Sequence, residues 1–94
     1  MKINTKQAIK DLAGKEIPSP DGIFTVGTAL SNIVIDAKEG DRMKMFILAQ
    51  NFYKEKEVEL DDADLALVKK AVQTTTQYNN LVNGQLLQIL ESKK

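Results

Sequence analysis

The sequence predicts a mainly α-helical fold, a compact domain of three to four helices with a short N-terminal β-hairpin. Three observations predict it. Apolar residues recur at three- and four-residue spacing through residues 25–92, which is typical of helices that bury one side. Both prolines and two of the five glycines lie before residue 25, as in turns. The 94 residues, 43% of them hydrophobic, fit a single domain with a hairpin and turn region over 1–24 and a helical core over 25–92.

The N-terminal region has two interpretations. Residues 7–17 form a hairpin that turns at Ala13-Gly14, because glycine tolerates a positive φ. Alternatively, residues 5–13 form a helix with Thr5 as its N-cap and Gly14 at its C-terminal end, since Ile9 and Leu12 lie three apart. Residues 18–22 then read PSPDG, which predicts a turn.

The first helix is predicted to begin after Thr25, an N-cap residue, and to end at Lys38-Glu39-Gly40. Its β-branched residues make a strand the competing interpretation. We favour the helix because strict two-residue alternation is absent and one stripe at helical spacing contains Val26, Leu30, Ile33 and Val34.

The second helix is predicted over residues 41–56, capped by Asp41. One apolar stripe consists of Met45, Leu48, Ala49 and Phe52. Further apolar residues widen the apolar surface beyond that stripe, namely Met43, Phe46, Ile47 and Tyr53. So broad an arc predicts contacts on two sides, which is typical of a central helix. The second group is therefore our candidate partner-binding face.

The third helix has the clearest start signal in the chain. Asp61 is the predicted N-cap, Asp64 occupies the third helical position, and Leu60 can pack against Leu65 as a hydrophobic staple. A last helix is predicted over residues 77–92. Gly84 lies inside it at a cost of about 1 kcal/mol relative to alanine, which predicts a close approach of another helix there.

Composition argues against an enzyme. With no Cys and no His, the chain has no thiolate, no imidazole base and no ligand set of the zinc-finger kind. Thirteen basic and thirteen acidic residues give zero net charge, so nucleic acid is not a favoured partner. The sequence predicts no metal and no cofactor, because residues 62–67 begin a calcium-loop pattern but carry Ala66 and Leu67 where it needs Asp or Asn and then Gly.

The segment 55–64 is acidic at six of its ten positions. We expect a solvated loop followed by a helix cap. The alternative function is a regulator that binds host machinery by imitating nucleic-acid phosphate, with an acidic contact formed by Glu59, Asp61, Asp62 and Asp64.

The sequence shows no membrane partner. The apolar stretch Ile33–Ile35 is far short of the ~20 residues of a spanning helix. The residues after Met1-Lys2 do not form the apolar core of a signal peptide, so we expect a cytoplasmic or virion location.

Several segments resemble, in order, elements of small phage and prophage proteins. Residues 9–17 (IKDLAGKEI) resemble their DLxGKxI start, which usually has Asp-Gly where this chain has Ala13-Gly14. Residues 25–32 (TVGTALSN) resemble a TxGxALxN helix opening, and residues 81–87 (LVNGQLL) resemble an LVxGQ element. Residues 46–53 and 57–69 are similar to the middle of these proteins. The resemblance favours the N-terminal hairpin and implies a phage or prophage origin but no activity.

These observations together predict a non-enzymatic protein that acts by protein–protein interaction, in virion assembly or structure. The partner is a second copy of the chain, giving a homo-oligomer, or another phage or host protein. A small nucleic-acid-binding module remains a further alternative.

Overall fold

Four helices and two pairs of short strands make up the computed structural model, which describes residues 1–20 and 22–91. In chain order the elements are β1 (Lys2–Asn4), β2 (Pro18–Ser19), β3 (Gly22–Ile23), α1 (Val26–Ile35), α2 (Arg42–Lys54), β4 (Glu57–Glu59), α3 (Asp62–Thr74) and α4 (Asn80–Glu91). The predicted fold class, mainly α with a short N-terminal hairpin, is confirmed. Asp21 of the predicted turn and residue 92 of the last predicted helix lie outside the described residues.

Local capping signals set where three of the helices begin. The Thr25 side chain accepts a hydrogen bond from Thr28 N at the start of α1. Asp41 accepts one from Met43 N at the start of α2, and the Asp61 carboxylate accepts one from Asp64 N at 2.8 Å at the start of α3. These bonds satisfy amide groups that the first turn of a helix leaves unpaired, so all three predicted N-caps are confirmed.

The segment between β1 and β2 contains no helix, which decides between the two interpretations of residues 5–17. Asp11 organises a tight turn, because one carboxylate oxygen accepts from both Ala13 N and Lys15 N at 2.9 Å. Gly14 supplies the positive φ of 85° that the turn requires. Lys10 and Glu16 then meet in an antiparallel bridge, and β2 pairs with β3 just beyond it.

The acidic segment contains a strand where a solvated loop was predicted. β4 pairs antiparallel with β1, so that Ile3 faces Val58 across the pair. Val58 and Leu60 are buried while Glu57 and Glu59 point to solvent. The alternation of charged and apolar residues at 57–60 is the period of a half-buried strand. That short signal was obscured by the high local charge.

The centre of the molecule is α1 and not α2, so the prediction of a central second helix is wrong. α1 packs against each of the other three helices, and Ala29, Leu30, Ile33 and Val34 are at most 1% exposed. This burial also explains why a segment rich in β-branched residues is helical, since packing outweighs a weak propensity. α2 therefore lies at the periphery with one side turned away from the core.

The close backbone approach in this fold occurs at Gly27 and not at Gly84. A Cβ atom at Gly27 would lie 2.5 Å from Phe52 O and 2.7 Å from Thr5 Cβ. A Cβ atom at Gly84 would meet nothing within 4 Å, so the predicted helix contact there is wrong. Gly27 allows α1 to pack against the C-terminal end of α2, where Thr5 Oγ1 donates to Glu55 O.

Candidate functional site

α2 carries apolar residues on two opposite sides. Met45, Leu48, Ala49 and Phe52 face the core and are at most 6% exposed. The candidate partner-binding residues repeat the same three- and four-residue spacing on the other side of the helix, and all of them are exposed: Met43, Phe46, Ile47 and Tyr53. We call these four residues the α2 face. The two-sided pattern read from the sequence thus arises from one buried and one exposed stripe.

The α2 face is comparable in area to the largest apolar patch of a typical monomer. The exposed fractions are 64% for Met43, 48% for Phe46, 46% for Ile47 and 63% for Tyr53. With roughly 200 Å² for each whole side chain, these fractions correspond to an apolar surface on the order of 450 Å². The largest apolar patch of a typical monomer covers roughly 300–600 Å² and is often a binding site.

A shallow groove between α1 and α2 extends the α2 face on one side. Its volume is about 240 Å³, and its lining includes Ile35, Ala49, Gln50 and Tyr53. Ile35 is 50% exposed, so it adds apolar surface from the C-terminal end of α1. The sequence predicts Ile35 within the first helix, but its position beside the α2 face depends on how the helices pack.

The polar residues on this side of α2 are of the types that suit a protein interface. Gln50 and Lys54 continue the exposed stripe, and Arg42, the single arginine of the chain, lies at its N-terminal end. Aromatic residues, methionine and arginine are enriched in protein interfaces, whereas lysine is depleted there. The helix α2 carries all three enriched types, with Arg42 outside the four residues of the α2 face.

Leu12 is, like Ile23, an exposed apolar residue outside the α2 face. It is 96% exposed at the tip of the turn that Asp11 organises. A single exposed leucine is common on protein surfaces and by itself does not indicate a site. It does provide a matched control for changes on α2.

The four candidate acidic-contact residues are largely occupied by contacts within the chain. Glu59 pairs with the amino group of Met1 at 3.2 Å, and Asp61 caps α3. Asp64 Oδ1 lies 2.6 Å from Lys44 Nζ, and this carboxylate is the main reason that the pKa of Lys44 is raised above 10.5. Asp62, on the first turn of α3, is exposed. The phosphate-imitation hypothesis stays a prediction, and these contacts give it no support.

A cavity lies near the C-terminal ends of α1 and α3, away from the α2 face. It has a volume of about 560 Å³, with an apolar floor that includes Ile33 and Met45. The charges at its rim are balanced, because Lys38 and Lys70 accompany Asp36 and Glu39, and Lys70 Nζ lies 3.2 Å from Glu39 Oε1. We find no pairing of nucleophile and base in its lining that would indicate catalysis.

Across residues 1–20 and 22–91, no group of three or more acidic side chains has an arrangement able to hold a metal ion. In the same residues, none of the helices has the length and apolar character that crossing a bilayer requires.

Comparison with known proteins gave no relative for this chain. No protein-family model, no curated protein and no solved structure matches it. The function is therefore inferred from the geometry of the α2 face and from the sequence elements described above.

Proposed function

We propose that this chain is a non-enzymatic phage or prophage protein that acts by protein–protein interaction through the α2 face, in virion assembly or structure. The observation that carries the proposal is the exposed stripe of Met43, Phe46, Ile47 and Tyr53 on a helix whose opposite side already fills the core. Folding does not require those four side chains to be apolar. Covering an apolar surface of this size with another molecule instead lowers the free energy of the system.

The phage origin in this proposal is supported by the resemblance of the sequence elements. Their residues have specific structural tasks here: Asp11 and Gly14 form a turn, Gly27 permits a close helix contact, and Gln85 holds the N-terminal loop. The segment 46–53 also belongs to the resemblance and contains three residues of the α2 face. Those three residues are exposed in the folded chain, which supports a binding role for their apolar side chains.

The direct test is position-specific photo-cross-linking in cells that express the chain from a phage or prophage. Phe46 is replaced by p-benzoylphenylalanine, and the same replacement of Gln73, exposed on α3, is the control. We expect an adduct at position 46 that contains a phage assembly or structural protein, and none at position 73. Equal adducts at both positions, or none at either, would contradict the proposal.

A further inference from the structure

The cavity near the C-terminal ends of α1 and α3 has the size of a small-molecule site. Its volume of about 560 Å³ lies within the range of roughly 300–1,000 Å³ that ligand pockets occupy. Three helices supply its apolar floor: Ile33 of α1, Met45 of α2, and Leu67 and Ala71 of α3. Leu67 is partly buried, and the other three are at most 6% exposed. An apolar molecule in this cavity would leave water for a floor that the fold already provides.

Contacts within the chain occupy both carboxylates of the cavity rim. Lys70 Nζ on α3 lies 3.2 Å from Glu39 Oε1 in the segment between α1 and α2. Gln77 Nε2, beyond the end of α3, donates to Asp36 Oδ2 and to Asn32 O, both at 2.9 Å. These contacts join the two walls of the cavity. They also leave the rim without a free counter-ion for a cationic ligand.

The remaining charges at the rim disfavour an anionic ligand as well. Lys38 lines the cavity and makes no ion pair with any of residues 1–20 and 22–91. An anion beside Lys38 would also lie near the C-terminal ends of α1 and α3, which each carry roughly half a negative charge. A charged group that loses its hydration here therefore finds no adequate compensation. The cavity favours a neutral molecule.

The end of α3 provides hydrogen-bond acceptors for such a molecule. The last four carbonyl groups of a helix have no amide donor within the helix. Thr74 Oγ1 donates to Lys70 O at 2.9 Å, one turn before these last carbonyls. Thr75, the residue after α3, has φ −69° and ψ 148°, so the chain leaves the helix in an extended conformation. The cavity is lined at this end by residues 74–76. An N–H or O–H group of a ligand would therefore find acceptors beside an apolar floor.

We propose that this cavity binds a small, neutral and mainly apolar molecule that carries an N–H or O–H group. The apolar body lies against Ile33, Met45 and Ala71, and the donor group bonds to the end of α3 beside Thr75. Met45 suits the floor because its flexible thioether side chain adapts to the shape of a ligand. This inference goes beyond the proposed function, because the cavity lies away from the α2 face.

Fluorescence titration with two matched probes tests the site and its preference for a neutral ligand. N-phenyl-1-naphthylamine is neutral and apolar with one N–H group, and 1-anilinonaphthalene-8-sulfonate has the same rings with an added anionic sulfonate. The chain has zero net charge, so its overall field does not bias the comparison. We expect the neutral probe to bind with a Kd on the order of 100 μM or tighter, and about 10-fold or more tighter than the sulfonate. Absence of binding by the neutral probe, or tighter binding of the sulfonate, would overturn the inference.

Two alanines of α3 provide a matched pair of variants that locates the probe. Ala71→Phe places a ring in the cavity floor, and we expect it to weaken binding of the neutral probe by about 10-fold or more. Ala66→Phe, exposed on the same helix, is the control and is expected to bind the probe as the wild type does. Equal binding by both variants would overturn the inference. Binding that is lost in Phe46→Glu and retained in Ala71→Phe would place the probe on the α2 face and would overturn it too.

Amide NMR of the wild-type chain locates the probe without a substitution in the core. We expect the neutral probe to shift the amide signals of Ile33, Ala71 and Thr75 and to leave those of Phe46 and Ile47 unchanged. This result supports the cavity even if Ala71→Phe fails to fold. Shifts confined to Phe46 and Ile47 would overturn the inference.

Discussion

At the scale of single residues, two helical glycines differ in the space around them: Gly27 is crowded and Gly84 is open. Gly27→Ala would place a Cβ atom 2.5 Å from Phe52 O, a backbone atom that cannot move aside cheaply. We expect this substitution to lower the free energy of unfolding by about 2–3 kcal/mol. Gly84→Ala meets nothing within 4 Å and should raise it by about 1 kcal/mol, because alanine favours the helix. Urea denaturation followed by circular dichroism measures both, and equal effects would contradict this account.

Lys44 makes a contribution to stability that depends on pH. The neighbouring Asp64 raises its pKa above 10.5 in the folded chain. The stabilisation is therefore present below pH 10.5 and is lost as the pH rises through the folded value. The exposed ammonium makes this effect small.

The Lys44 effect can be measured as the fall in urea midpoint between about pH 8 and about pH 12. We expect Lys44→Met to show a smaller fall than the wild type, because the titrating ion pair is gone. Lys54→Met, on the exposed side of the same helix, is the control and should fall as the wild type does. A fall in Lys44→Met as large as that of the wild type would show that the pair contributes nothing.

At the scale of elements, a structural feature could be predicted from the sequence when the residues that cause it lie close together in the chain. Thr25, Asp41 and Asp61 each cap a helix through a partner two or three residues away, so their roles can be read directly from the chain. The β1–β4 pair joins Ile3 to Val58 and has no local signal at its N-terminal strand. Predicting that the close backbone approach occurs at Gly27 and not at Gly84 likewise requires knowing which helices pack together.

The candidate site shows the same division. Residue spacing predicted that α2 has two apolar sides, because both stripes repeat with helical periodicity. It could not predict that α1 would be the central helix, since α1 and α2 both have apolar residues to bury. Ile35 joins the α2 face only through the packing of α1 against α2, and that packing is a property of the folded chain.

The side chain of Gln85 on α4 makes two hydrogen bonds to the backbone of Lys10 in the N-terminal loop. Gln85 Oε1 accepts from Lys10 N at 3.0 Å, and Gln85 Nε2 donates to Lys10 O at 2.6 Å. We expect Gln85→Ala to destabilise the fold by about 1–2 kcal/mol and to speed hydrogen exchange at Lys10. Gln88→Ala, exposed on the same helix, is the control and should leave exchange at Lys10 unchanged. Unaltered exchange in Gln85→Ala would mean that the loop is held by other contacts.

At the scale of the whole molecule, the N-terminal region and the helices share one core. Ile9 is fully buried, and Ile3 is 1% exposed, within the same cluster as the buried residues of the helices. We expect Ile9→Ala to lower the free energy of unfolding by about 3 kcal/mol, because it leaves a cavity in that core. The transition should stay single and shift as a whole when followed by helical circular dichroism. A helical signal that melts as in the wild type would show that residues 1–24 are an independent appendage.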